Sequence, residues 1–329
     1  MMDEHFVPMS FGEIFGMGWR LTFRTLRTAG LLLVLIYLPV MLMMGLSLHN
    51  LFATLGTLDI TRSRFADSPD FNALVMNLMG TFLLLIPLII ILQLAIPYSQ
   101  CVTVMAGWEE ANGRDMGLGE MLRRSLKRPF WHILLQGLIV SAIAGMAMPV
   151  CMMILALISA VLRQVSGVFA VLVIFLGGLA MMVALIYFAV AIGLGKQEVV
   201  AEDRGPWKGL IASIALVRPY WFRAFGVGLV LGIILMFLYM IFSIPAAIHF
   251  AGFVADLGQV DRNDPRVARE IFSHMGSLIS PWLFLPIGLM GVFMTLFSTN
   301  VSTALYIDLR ARRGDFSDGD DFDLHIGVE

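Results

Sequence analysis

Charge is what this sequence has least of: only 14% of its 329 residues are Asp, Glu, Lys or Arg. Soluble domains carry roughly 25%. With 59% hydrophobic residues, a water-soluble fold would have to expose large apolar patches and aggregate. Cysteine is nearly absent. Cys101 and Cys151 both lie in apolar stretches, where a thiol acts as a small hydrophobe, so a disulfide framework is excluded. No basic block stands out from the net charge of −2, and nucleic acid is not an expected partner. Gly-x-Ser-x-Gly, P-loop, dinucleotide and His-Glu-x-x-His patterns are all missing, which leaves no catalytic residue, metal site or cofactor to assign.

What is present is long apolar runs. Spans are expected at 29–51, 73–99, 130–161, 168–194, 222–250 and 281–304, each long enough to cross a hydrocarbon core of ~30 Å. The fold class is therefore all-α and polytopic: six transmembrane helices with interfacial amphipathic helices. One transmembrane domain covers 1–314, and an acidic tail, expected to be disordered, follows at 315–329. The first span reads as an uncleaved anchor. Pro39, Pro87, Pro97, Pro149, Pro245 and Pro286 fall inside or at the ends of spans, where neighbouring helices can re-satisfy freed carbonyls and some kinking is expected. Sixteen of the twenty-two Lys and Arg residues fall on the side of both chain ends. The positive-inside rule then puts both termini in the cytoplasm of a bacterial inner membrane.

A short pattern recurs. Arg128-Pro129-Phe130-Trp131 enters the third span and Arg218-Pro219-Tyr220-Trp221 the fifth, each after a helix-like segment. Phe11-Gly12-Glu13-Ile14-Phe15 resembles Leu118-Gly119-Glu120-Met121-Leu122 as a looser copy. The unit reads as an interfacial helix followed by a transmembrane hairpin, used three times. In the first such helix Phe11, Ile14, Phe15, Trp19, Thr22 and Leu26 share one side, and Arg20, Arg24 and Arg27 another. In the second, Leu118, Met121, Leu122 and Leu126 oppose Glu120, Arg123, Arg124 and Lys127. An apolar stripe beside a basic face describes a helix in the headgroup region. The third, about 207–217, is more apolar, and Trp131, Trp207 and Trp221 belong to an interfacial aromatic belt. In the outer loop at 251–280, Asp264 is placed to cap a short helix.

The span cores contain no Asp, Glu, Lys or Arg, which disfavours an ion-coupled transporter. Gln93, Gln136 and Asn300, with His132 near an interface, are the polar groups available there. Interhelical hydrogen bonding is their plain reading, and a polar ligand contact the sharper one. Methionine clusters such as Met41-Leu42-Met43-Met44 are soft ligands suited to Cu(I), but flexible apolar filler explains them too. His49, His249 and His274 reach toward one face and allow a shared site; separate interfacial histidines are the alternative. The acids from Asp315 to Asp323 lack calcium-loop spacing.

Three stretches resemble the glycerophosphoryl diester phosphodiesterase membrane-domain family and related bacterial six-span proteins. They are Gln197-Glu198-Val199-Val200-Ala201-Glu202-Asp203-Arg204-Gly205, Arg218-Pro219-Tyr220-Trp221-Phe222-Arg223, and Thr303 to Gly314 with Tyr306, Asp308 and Arg310. The resemblance implies a six-span architecture and a lipid connection; it does not imply phosphodiesterase activity, because the chain has no room for that soluble barrel. The expected function is non-enzymatic engagement of membrane lipid, or of a membrane or cytoplasmic protein partner, at the inner leaflet. Arg20, Arg24, Arg27, Arg123, Arg124 and Lys127 are the expected headgroup contacts, setting topology alone being their alternative role. A permease for a small neutral or amphipathic solute is the second reading, with Gln93, Gln136 and Asn300 lining its path. An intramembrane lipid-modifying enzyme built on Tyr306 and Asp308 is the third.

Overall fold

The computed structural model describes residues 7–56, 69–164, 166–257 and 281–315. These residues are almost entirely helical. α1 (Phe11–Thr25) passes through a π-turn, Leu26–Gly30, into α2 (Leu31–Gly56). α3 (Pro69–Ala111), α4 (Leu118–Ser125), α5 (Arg128–Arg163) and α6 (Gly167–Ile192) follow. Two short helices come next, α7 (Gly195–Ala201) and α8 (Pro206–Val217). A 3-10 turn, Arg218–Tyr220, leads into α9 (Trp221–Leu257), and α10 (Pro281–Arg313) closes the described chain. Six helices are long and apolar enough to cross a membrane. The protein is thus an all-α polytopic membrane protein.

Four of the six expected spans match their helices closely. The sixth, drawn to 304, runs on to Arg313, and the second reaches Ala111, well past its expected end at 99. Both extensions are polar enough to end a hydropathy window while remaining good helix. The named prolines all sit inside assigned helices. In the two Arg-Pro-aromatic-Trp motifs the proline lies at the first turn of an element, where its missing N–H costs nothing. Asp264 and His274, the side chain of His249, and the tail beyond Asp315 lie outside the described residues.

The chain forms two compact units. One comprises residues 1–24, 101–231 and 297–329; the other 25–100 and 232–296. In the second, Leu26 and Leu296 close over Gly30, Met41 lies against Gly288, and Tyr37 Oη bonds Ser99 Oγ at 3.2 Å. In the first, α5 packs along α6, and α8 lies against α5, α6 and α7. Much of the surface of α5 and α6 is exposed Leu, Ile, Val, Phe and Met, the surface a lipid-facing helix needs.

Candidate functional site: a buried ion-pair network and two three-faced helices

Unit one concentrates its charge at the C-terminal turns of α3 and α10. Both helices end in the same cap. Gly113 and Gly314 adopt positive φ (72° and 85°), which glycine reaches without strain. The next N–H then reaches back five residues, Arg114 to the Glu109 carbonyl (2.9 Å) and Asp315 to that of Arg310 (3.2 Å). In α10 this cap folds Asp315 onto its own helix. Arg310 Nε donates to Asp315 Oδ2 at 2.9 Å and Arg313 Nε to Oδ1 at 2.6 Å. Burial pushes the Asp315 carboxyl upward, but the hydrogen bonds from Arg313 and Arg310 outweigh it and hold the group below the usual carboxylate range.

Arg310 is the hub of one half of the network. Besides Asp315 it pairs with Glu202, donates to Tyr306 Oη at 3.3 Å and lies over the Tyr306 ring. Tyr306, fully buried, meets Trp108 edge-on. The loop after α7 completes this half. Asp203, in the left-handed region at φ 46°, turns the chain so that Arg204 comes within 3.1 Å of Glu198 and 3.9 Å of Glu202.

Asp308 is the hub of the other half and is wholly buried. Its Oδ2 accepts from Arg223 Nε at 2.6 Å, and Arg312 Nε spans both oxygens at 3.1 and 3.2 Å. Tyr220 Oη donates to the Arg312 carbonyl at 3.1 Å. Through Asp308, Arg310 and Arg312 the 303–314 motif, which includes Tyr306, therefore meets Tyr220 and Arg223 of the second motif and the 197–205 stretch in one unit. A tyrosine and an aspartate at a span's end read locally as an interface anchor and a helix-end charge, and here both are interior. Their distant partners are Met9 and Arg223 for Asp308 and Trp108 for Tyr306, which no local window connects.

The expected headgroup cations divide into two groups. Arg24 pairs with Glu110 at 3.0 Å, and Arg124 pairs with Glu120 at 2.8 Å and Glu109 at 3.4 Å. Arg20, Arg123 and Lys127 are exposed with no ion pair in the described structure; Arg27, in the second unit, is exposed likewise. Adjacent carboxylates at the end of α3 thus tie α1 and α4 to one turn.

Both helices are three-faced rather than two-faced, which corrects the single apolar stripe read from sequence. In α1, Ile14, Gly18, Leu21, Thr22 and Thr25 are buried, and Gly18 sits directly on Val301. Trp19 and Phe23 form an exposed apolar row, 48% and 49% accessible, that Leu26 continues. Arg20 and Arg24 form the next row round. α4 repeats the order: Met121 and Ser125 buried, then Leu118, Leu122 and Leu126 exposed, then Arg123 and Lys127. Each row follows the 3.6-residue period.

Each candidate path residue has its own surroundings. Gln93 is exposed and lies in the second unit. Asn300 is buried against Gly107, and its Nδ2 donates to Thr22 Oγ1 at 3.4 Å. Gln136 is buried in a notch at Gly195 and Gly209, its amide nitrogen and oxygen without hydrogen-bond partners among the described residues. His132, one turn away, likewise has no partner for its Nδ1 among the described residues. Cys101 and Cys151 are both free thiols. No group of three or more His, Cys, Asp or Glu able to hold a metal occurs among the described residues. Comparison with family models, with curated proteins and with solved structures finds no match.

Proposed function

We propose that this integral membrane protein is a non-enzymatic module of a bacterial inner membrane that engages anionic lipid at the inner leaflet. One observation carries the reading: on both α1 and α4 an exposed apolar row runs beside an exposed basic row, in the same rotational order. Trp19, Phe23, Leu118, Leu122 and Leu126 are the groups that enter the acyl boundary. Arg20, Arg123 and Lys127, left over after Arg24 and Arg124 are spent on carboxylates, are the groups that meet headgroups, each worth ~1 kcal/mol near a charged surface. The similarity of the Tyr306–Arg310 and Gln197–Gly205 stretches to the phosphodiesterase membrane-domain family fits a lipid role and is part of the proposal.

The test is native mass spectrometry of protein extracted gently from its own membrane. Retention of an anionic lipid in fixed ratio is expected, with a loss of about tenfold or more in occupancy when Arg20, Arg123 and Lys127 become Gln. Undiminished retention in that triple variant overturns the assignment of these residues. A stoichiometric protein partner in place of lipid overturns the lipid reading and makes the chain a membrane subunit.

The permease reading keeps one observation of its own, the unbonded amide of Gln136. If that amide contacts a transported solute, Gln136→Leu abolishes uptake into proteoliposomes while leaving the fold intact.

A further inference from the structure

Met9 is held to the rest of unit one by its backbone. Its N–H donates to Asp308 Oδ1 at 2.7 Å, and its carbonyl oxygen accepts from Arg223 Nη2 and from Arg312 Nη2, the latter at 2.8 Å. Both guanidiniums are also fixed by Asp308, so among the described residues the cluster carries two cations against one carboxylate. The nearest further acids by sequence are committed elsewhere: Glu13 to Ser10, and Asp315 to Arg310 and Arg313. Two charged donors therefore converge on a neutral peptide oxygen. An ionised acceptor adds Coulomb attraction that a neutral carbonyl lacks, and paired guanidiniums match the oxygens of phosphate. The carbonyl satisfies the geometry and leaves the charge unmet.

The rest of the strap is attached lightly. Phe11 lies against the Arg223 guanidinium at 5.4 Å and fits at Gly226, where a Cβ would come within 2.9 Å of the ring. Val7 is exposed. Ser10 and Glu13 form a reciprocal capping box that starts α1 locally. Lifting Met9 therefore costs its own three bonds without unwinding the helix.

We propose that Arg223 and Arg312, organised by Asp308, form a binding site for a phosphate-type oxyanion. The Met9 backbone is its resting occupant, and ligand binding displaces the strap. The oxyanion belongs either to a phospholipid headgroup or to free phosphate; only the headgroup source rests on the lipid-engaging reading above.

The test uses the full chain in phosphatidylcholine nanodiscs and follows hydrogen–deuterium exchange of the backbone at residues 9–11. One arm adds phosphatidate to the bilayer; the other adds inorganic phosphate, with chloride as the ionic-strength control. Exchange is expected to accelerate about tenfold, the factor that losing one charge-assisted hydrogen bond produces. Acceleration with phosphatidate alone names the headgroup, and acceleration with inorganic phosphate names the soluble anion. Arg312→Gln and Arg223→Gln should each abolish the response, and Arg312→Lys should keep part of it. Phe11→Ala, which loosens the strap and spares both arginines, should lower the phosphatidate or phosphate concentration required. The proposal is overturned if neither arm accelerates exchange in the native chain and in Phe11→Ala, or if Arg312→Gln responds fully. Anionic lipid retained through Arg20, Arg123 and Lys127 with residues 9–11 unmoved would sink this site and leave the broader lipid reading standing.

Discussion

At the scale of single residues the network is held by groups that have no substitute nearby. Asp308 receives bonds from two guanidiniums and one backbone N–H while fully shielded from solvent. Removing one partner of a buried ion pair strands the other and costs about 3–5 kcal/mol, more than the pair gains on forming. Asp308→Asn should therefore lower the unfolding midpoint in detergent severely, whereas Arg313→Gln, at a partly exposed position, should cost about 1 kcal/mol or less. Equal losses would show that burial does not set the scale. Packing gives a second contrast. A Cβ on Gly107 would lie 2.4 Å from Asn300 Oδ1, while one on Gly119 would meet nothing within 4 Å. Gly107→Ala should destabilise by about 1–3 kcal/mol through overpacking. Gly119→Ala should stabilise α4 by up to about 1 kcal/mol through helix propensity. Thermal melts of the two variants side by side check both signs. The residue types at these positions were visible in the sequence, and their burial was not. Asp308 sits one turn from basic residues at a span's end, and only the arrival of residues 9 and 223 makes it interior.

At the scale of elements, two helix ends are legible in the sequence. Asn112-Gly113 and Arg313-Gly314 are glycine C-terminal signals, and both form that cap. The cap of α10 has a measurable consequence. Asp315 titrates below its ordinary value of ~3.9 in the folded protein. It therefore contributes stability that is fully present above the unfolded-state pKa and is lost as pH falls through the lower folded value. Asp315→Asn should flatten the stability profile below about pH 4 and shift the neutral-pH midpoint by a constant amount. A profile with unchanged acid limb would place the titration elsewhere. The rows on α1 and α4 show where periodicity alone runs out. Apolar residues that share a broad stripe in the sequence divide between a protein-facing row and an exposed row. Ile14 and Met121 are buried while Trp19 and Leu122 are not, because neighbouring α10 and α3 cover only part of each stripe.

At the scale of the whole molecule, the six long apolar helices were readable because a bilayer demands ~20 uninterrupted apolar residues, a signal few other structures imitate. The division into two units was not readable, since it cuts α3, α9 and α10 at positions with no break in helix or hydropathy. The proposed orientation rests on charge. Reading the N-terminus as cytoplasmic puts α4, with Arg123, Arg124 and Lys127, on the inside, and the turn between α5 and α6 at Gln164 outside. The argument can be checked without knowing any ligand. In a chain with Cys101 and Cys151 replaced by Ala, Gly119→Cys and Gln164→Cys each place one thiol at an element end. A membrane-impermeant maleimide applied to sealed right-side-out vesicles should label the cysteine at 164, and should reach the one at 119 only after permeabilisation. The reverse pattern would move Arg20, Arg123 and Lys127 to the outer leaflet. There the inner leaflet's anionic lipid is out of reach, so the same result would remove the membrane surface on which the proposed function depends.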